Sequence, residues 1–105
     1  MKWFKDIHNR EIRLTDERRK HIESDHPEMS GQISRIQETL LNPAVIIRSR
    51  TDEYVEMFYR YYSLTPTIGG KYLCVVVKVL GVDLFIITAY FTDTVKRGEV
   101  LWQKK

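Results

Sequence analysis

The chain holds one cysteine, three prolines and five glycines in 105 residues. A lone thiol excludes a disulfide framework and favours a cytoplasmic setting, with Cys74 read as a small buried hydrophobe. No segment approaches the run of about 18 apolar residues that a membrane helix needs. The opening Met-Lys-Trp-Phe-Lys-Asp-Ile-His lacks the apolar stretch and the small-residue cleavage site of a signal peptide. Internal repeats, low-complexity tracts and Gly/Ser linkers are also missing, so residues 1–105 read as one domain. Residues 1–10 read as a loosely docked arm in which Trp3 and Phe4 are the groups able to pack. A large charge excess is lacking too: 17 basic against 14 acidic side chains leave +3. All of that excess lies in residues 63–105, with six basic and three acidic groups. It is compatible with a phosphate-bearing partner.

What is present is a pair of apolar runs, Tyr72–Leu80 and Leu84–Thr92, joined by Gly81-Val82-Asp83. Their Val, Ile, Tyr, Phe and Thr content and the Gly/Asp break predict a β-hairpin. Alternation gives Leu73, Val75, Val77 and Val79 to one face of the first strand, and Phe85, Ile87, Ala89 and Phe91 to one face of the second. The other face is mixed, with Lys78, Thr88, Tyr90 and Thr92 among apolar residues. A lysine in a Val-rich strand needs water, an acid or a ligand for its ammonium. Either Lys78 snorkels to solvent from a half-exposed sheet, or the mixed face is a semi-apolar anion site.

Upstream, Glu11–Leu14 alternates as a short strand. Thr15 is a suitable N-cap for a helix over Asp16–Asp25, with Asp16 and Glu17 favourably placed in its first turn and Pro27 stopping it. Ile22 is the only large aliphatic residue of that helix. Ser30 caps a second helix, roughly Gly31–Leu41, whose Ile33, Ile36, Leu40 and Leu41 form an amphipathic stripe. Asn42-Pro43 ends it. Ala44–Arg48 and Tyr54–Tyr62 read as strands, and Glu99–Gln103 as a short final strand or packed tail. Successive strands with short connections argue for an antiparallel meander. The expected fold is therefore α+β: two N-terminal helices on one face of a four-stranded antiparallel β-sheet. The second helix covers the pure apolar face, and the mixed face, lined by Arg60 or Glu56 with Lys78, Thr88, Tyr90 and Thr92, stays open.

His21 and His26 are five residues apart and so do not share the i, i+4 face of a helical metal pair. No Cys or carboxylate spacing completes a metal set, so no metal and no cofactor is expected. Each histidine is a surface or capping residue on the plain reading. Imidazole is also the natural proton-transfer group near neutral pH.

Several strings, taken together, carry a resemblance: Leu14-Thr-Asp-Glu-Arg-Arg-Lys-His-Ile-Glu-Ser-Asp-His-Pro-Glu28, Thr39-Leu-Leu-Asn-Pro43, Phe58-Tyr-Arg-Tyr-Tyr62, Tyr72-Leu-Cys-Val-Val-Val-Lys78, Ile87-Thr-Ala-Tyr-Phe-Thr92 and Lys96-Arg-Gly-Glu-Val-Leu-Trp102. Over about residues 11–102 the chain resembles the small phage- and bacteria-associated nuclease-like domains of the barnase–EndoU–colicin–RelE (BECR) superfamily. The large aromatic that often precedes the helix histidine there is replaced by Arg19-Lys20. The resemblance implies a helix pair followed by a four-stranded antiparallel sheet, and metal-independent RNA cleavage. In that chemistry the 2′-OH attacks phosphorus and leaves 2′,3′-cyclic phosphate and 5′-OH ends. It implies His21 or His26 as general base or acid, Lys78 as phosphate clamp, Thr88 and Tyr90 as hydrogen-bond donors or a base stack, and Arg60 as a second phosphate ligand. Tyr62, Thr92, Lys96 and Arg97 are the implied substrate contacts. The implied partners are RNA and, for a toxin, an antitoxin or immunity protein. Alternatives are a non-catalytic RNA- or protein-binding module of the same fold, and a homodimer formed through the tyrosine-rich sheet face.

Overall fold

The central hairpin forms where its composition puts it. In the computed structural model, which describes all 105 residues, β5 (Lys71–Leu80) and β6 (Asp83–Thr92) pair antiparallel across a two-residue turn, Gly81-Val82. Gly81 has φ +61, the left-handed conformation that a tight hairpin of this length asks of its first loop residue. Before the hairpin come β1 (Lys2–Lys5), β2 (Glu11–Leu14), α1 (Asp16–Asp25), a 3-10 turn (Pro27–Met29), α2 (Ile33–Leu41), β3 (Val45–Arg48) and β4 (Val55–Tyr62); β7 (Glu99–Gln103) closes the chain.

The fold is α+β with both helices on one face, but the four-stranded antiparallel sheet expected from the sequence is corrected to a seven-stranded mixed sheet, in the order β1-β2-β6-β5-β4-β3-β7. The meander β3–β6 is its centre. On one side β2 joins β6 in parallel, through Ile12↔Leu84 and Arg13↔Phe85, and β1 adds to β2. On the other side β7 returns to β3. Residues 1–10 are no loose arm: Lys2–Lys5 is an edge strand with Phe4 buried beneath it, while Trp3 stays exposed.

Local signals account for the helices. The Thr15 hydroxyl accepts from the Arg18 backbone N–H at 3.1 Å, and the His26 N–H closes α1 on the Ile22 carbonyl at 2.7 Å. Pro27 then opens the 3-10 turn. α2 starts two residues later than the sequence suggests. Gly31 takes φ +78 and Gln32 occupies the cap without a side-chain bond, so Ser30 does not cap.

Ile36 and Leu40 of α2, with Ile22 of α1 and Met29, bury against Leu73, Val75 and Val77 of β5 and Phe58 of β4. Ile36 and Leu40, with Ile33 partly buried beside them, thus cover the face expected, whereas Leu41 of the expected stripe is exposed and Thr39 is buried instead. In β6 the alternation is corrected. Val76 pairs with Thr88 and Val77 with Ile86, leaving Ile87 as an unpaired bulge residue. The bulge shifts the faces by one, because side chains alternate with period two. Ala89 and Phe91 keep the core side expected of them, Leu84 and Ile86 enter the main core in place of Phe85 and Ile87, and Ile87 joins Tyr90 on the opposite face.

That opposite face is not simply open. Residues 93–98 cross it as a strap from the end of β6 to β7. Val95 packs there over a second small core of Ile47, Val55, Met57, Tyr59 and Cys74. Gly98 lies so close to β3 that a Cβ would stand 2.4 Å from the Arg48 carbonyl oxygen.

Candidate functional site

β2 pairs with β6 only near Leu84 and Phe85, so the outer edge of β6 beyond them has no strand partner. The end of α1 and the 3-10 turn cover that edge instead, a common way to protect it. His26 lies at the junction, half-buried, with its backbone bonded on both sides: its N–H donates to Ile22 and its carbonyl accepts from Met29 at 2.9 Å. This seats the imidazole against Tyr90, ring centroids 5.4 Å apart and tilted by 33°.

Tyr90 belongs to a polar cluster under the strap. It stands opposite Cys74, whose buried thiol lies beside the Tyr59 and Tyr90 hydroxyls, while the Tyr59 hydroxyl donates to Met57 Sδ at 3.8 Å. The Tyr59 hydroxyl accepts from the Lys96 backbone N–H at 3.2 Å, which fixes the strap over the sheet. Burial pushes the Tyr59 and Tyr90 phenols well above their ordinary range, so both remain donors at neutral pH. Burial likewise pushes the Cys74 thiol up to about 11, against the opposing pull of its tyrosine partners and the nearby Lys96 ammonium. A thiol so held is inert as a nucleophile. The Lys96 and Arg97 side chains are exposed and make no salt bridge.

The other candidates separate into three groups. Thr88 and Thr92 are opposite Val76 and Tyr72, on the Tyr90 face, and Thr92 starts the strap with a 3.4 Å bond from the Thr94 N–H. Lys78 shares this face but is bonded to Asp52, and it sits four residues along β5 from Cys74, roughly 13 Å at strand spacing. Arg60 and Tyr62 are on the helix-covered face, because Arg60 pairs with Leu73 and Tyr62 with Lys71. Arg60 bonds to the Asn42 carbonyl at 2.8 Å and faces Glu38 at 3.5 Å. The Tyr62 hydroxyl donates to Glu38 at 2.6 Å, and burial with that carboxylate raises it to about 12. His21 is exposed on α1, 3.9 Å from Glu17 and remote from the cluster in its partners. His26, Thr88, Tyr90, Thr92 and Lys96 are therefore brought to one region, while His21, Arg60 and Tyr62 are not, and Lys78 is engaged elsewhere.

Alternation within β5 already puts Tyr72 and Cys74 on the mixed face, and alternation within β4 puts Tyr59 and Tyr61 together. What the sequence did not show is that the β4–β5 register, Tyr59↔Cys74 and Tyr61↔Tyr72, joins the two sets on this face. No group of three or more His, Cys, Asp or Glu side chains is gathered as a metal set. No helix is long and apolar enough to cross a membrane. No family model, curated protein or solved structure gives a significant match to this chain.

The buried thiol has a measurable consequence at alkaline pH. Cys74 ionises in the unfolded chain near its ordinary value of about 8.5–9, but in the folded protein only near about 11. The folded state then binds more protons than the unfolded one, so stability is full below about pH 8.5 and falls as pH rises towards 11, by about 1.4 kcal/mol per pH unit for this group. Urea unfolding of wild type is expected to show that decline. In Cys74→Ala the curve should stay level until the tyrosines ionise; an unchanged slope in the variant would assign the decline to other groups.

Proposed function

We propose that this domain is a metal-independent endoribonuclease of the BECR-like kind, acting at the end of β6 under the strap. The observation that carries the reading is the seating of His26 on Tyr90 in the same region as Lys96, a cation with no carboxylate of its own. His26 would move the proton of the attacking 2′-OH or of the 5′ leaving oxygen. The neutral Tyr90 hydroxyl and Thr88 would donate to the non-bridging oxygens, and Lys96 rather than the Asp52-bound Lys78 would oppose the charge of the phosphorane. Transesterification needs no further co-reactant: the O2′–P bond forms as the P–O5′ bond breaks, and one proton passes from the former to the latter. A reducing cytoplasmic setting suits a chain whose single thiol is buried, and an antitoxin or immunity protein would be the natural regulator.

A second reading is favoured by the neutralisation of Arg60 by Glu38 and of Lys78 by Asp52. It is a non-catalytic module that grips RNA, or another protein, on the same face. Incubating the protein with single-stranded RNA in EDTA and mapping the ends distinguishes the two. Cyclic-phosphate and 5′-OH ends support the nuclease. Intact RNA, bound with a steep salt dependence, supports the module. Lys78→Ala is expected to leave cleavage near the wild-type rate and stability within about 1 kcal/mol, since its ion pair is partly exposed; loss of cleavage without loss of fold would return the clamp role to Lys78.

A further inference from the structure

Beyond the cluster at Tyr90, one aromatic ring on the same face is held still and yet left bare. Tyr61, near the end of β4, is 54% exposed. Its ring meets Tyr72 edge-on, 5.3 Å between centroids at 75°, and Tyr72 meets the fully buried Tyr59 at 6.4 Å and 86°. Behind it lies Gly70, where a Cβ would fall 1.9 Å from the Tyr61 hydroxyl oxygen and 2.6 Å from Cζ. Glycine at position 70 is thus what lets the ring lie on the backbone. Its edge-on contact with Tyr72, directly opposite in the β4–β5 register, stabilises the sheet as a cross-strand pair and at the same time leaves more than half of Tyr61 accessible to a ligand. Charge complementarity points the same way, since Lys96 and Arg97 on the adjoining strap are unneutralised.

We infer that Tyr61, backed by Tyr72 and Gly70, is a stacking platform for an unpaired base, and that the ligand is single-stranded RNA. Tyr61 lies opposite Tyr72 and Tyr90 opposite Cys74. That offset, two residues along and two strands across, separates their backbones by roughly 12 Å. A short stretch of single strand spans it, with one base on Tyr61 and its phosphates towards Lys96. A duplex cannot use the platform, because stacking on a side chain requires a base released from its neighbours. The role in cleavage rests on the nuclease reading above; the stacking itself does not.

The test uses a short fluorescein-labelled RNA with 2′-O-methyl groups, which binds but cannot undergo the transesterification, and reads its affinity by fluorescence anisotropy. Wild type is expected to bind it better than the matching duplex. Tyr61→Ala should weaken binding roughly tenfold, by the usual contribution of one stacked base, while Tyr61→Phe stays near wild type. Gly70→Ala, which keeps the ring but pushes it off its seat, should weaken binding as well, with circular dichroism confirming the fold. Equal affinity for Tyr61→Ala and wild type, equal affinity for duplex and single strand, or no binding by wild type would each overturn the platform. Cleavage of ordinary RNA is assayed in parallel. Wild type that binds through Tyr61 without cutting rejects the nuclease and keeps the platform. Wild type that cuts, with Tyr61→Ala unaltered in affinity and KM, rejects the platform and keeps the nuclease.

Discussion

Purified His26→Ala protein is expected to cut single-stranded RNA about 10²–10⁴-fold more slowly than wild type, the range that a positioned proton-transfer group contributes. The loss should come from chemistry rather than unfolding. The hydrogen bonds that fix residue 26 use its backbone N–H and carbonyl, which alanine retains. The side chain is only half-buried, and its main contact is the Tyr90 ring. His26→Gln gives the sharper comparison, because glutamine keeps bulk and hydrogen bonding but cannot exchange a proton near neutral pH. It should be as inactive as alanine if proton transfer is the role, and nearly active if the imidazole merely fills space. Added imidazole should partly restore His26→Ala and leave His26→Gln unaffected. Cleavage within a few-fold of wild type in both variants would remove His26 from the mechanism. His21→Ala, on the exposed side of α1, is expected to cut like wild type.

The second large effect concerns stability. Replacing Arg10 with alanine is expected to destabilise the fold by about 3 kcal/mol, the lower end of the range for breaking a buried ion pair. Arg10 lies in the β1–β2 turn and holds two carboxylates at once. Its Nε donates to Asp6 at 2.8 Å, and its terminal nitrogens donate to both Glu56 oxygens, at 2.7 and 3.4 Å. The Asp6 side chain is fully buried and that of Glu56 14% exposed, whereas Arg10 keeps 27% exposure. Removing the guanidinium leaves two poorly hydrated negative charges without their cation. Asp6 retains the His8 and Arg10 backbone N–H groups at 3.0 and 2.8 Å, so the greater exposure to loss falls on Glu56.

The pair Arg10→Met with Glu56→Leu should therefore recover much of the loss, because apolar residues of similar volume can replace a buried ion pair. A double-mutant cycle from urea unfolding measures the coupling, expected at about 1–3 kcal/mol. Hydrogen exchange adds a local readout. The turn is tied to α2 by the Ile7 N–H on the Leu40 carbonyl at 2.9 Å, so β1 and the end of α2 should lose protection first in Arg10→Ala. An additive cycle, with each single change costing under about 0.5 kcal/mol, would reduce this network to a surface feature.

What the residues determined by themselves is what depends on neighbours a few positions away. Thr15 and Pro27 bound α1, the spacing of Ile36 and Leu40 aims α2 at the sheet, and Gly81 turns the β5–β6 hairpin. Caps, helical periods and tight turns are local, so the sequence displays them. The tertiary structure alone decided the rest. The parallel pairing of β2 with β6 joins residues more than 70 positions apart, and no local pattern marks it. The bulge at Ile87 moved Leu84 and Ile86 into the core against the simple alternation, because one unpaired residue shifts a period of two. The β4–β5 register sent Arg60 and Tyr62 to the helix face and brought Tyr59 and Tyr61 opposite Cys74 and Tyr72, which alternation had already put on the other face. The strap carried Lys96 over Tyr59, and the short edge strand β1, with only Phe4 buried, gained its place through Arg10 and Glu56. Residue type named the groups able to move protons and bind phosphate. Which of them meet was fixed by pairings between distant strands, whose energies come from contacts that exist only once the sheet has formed.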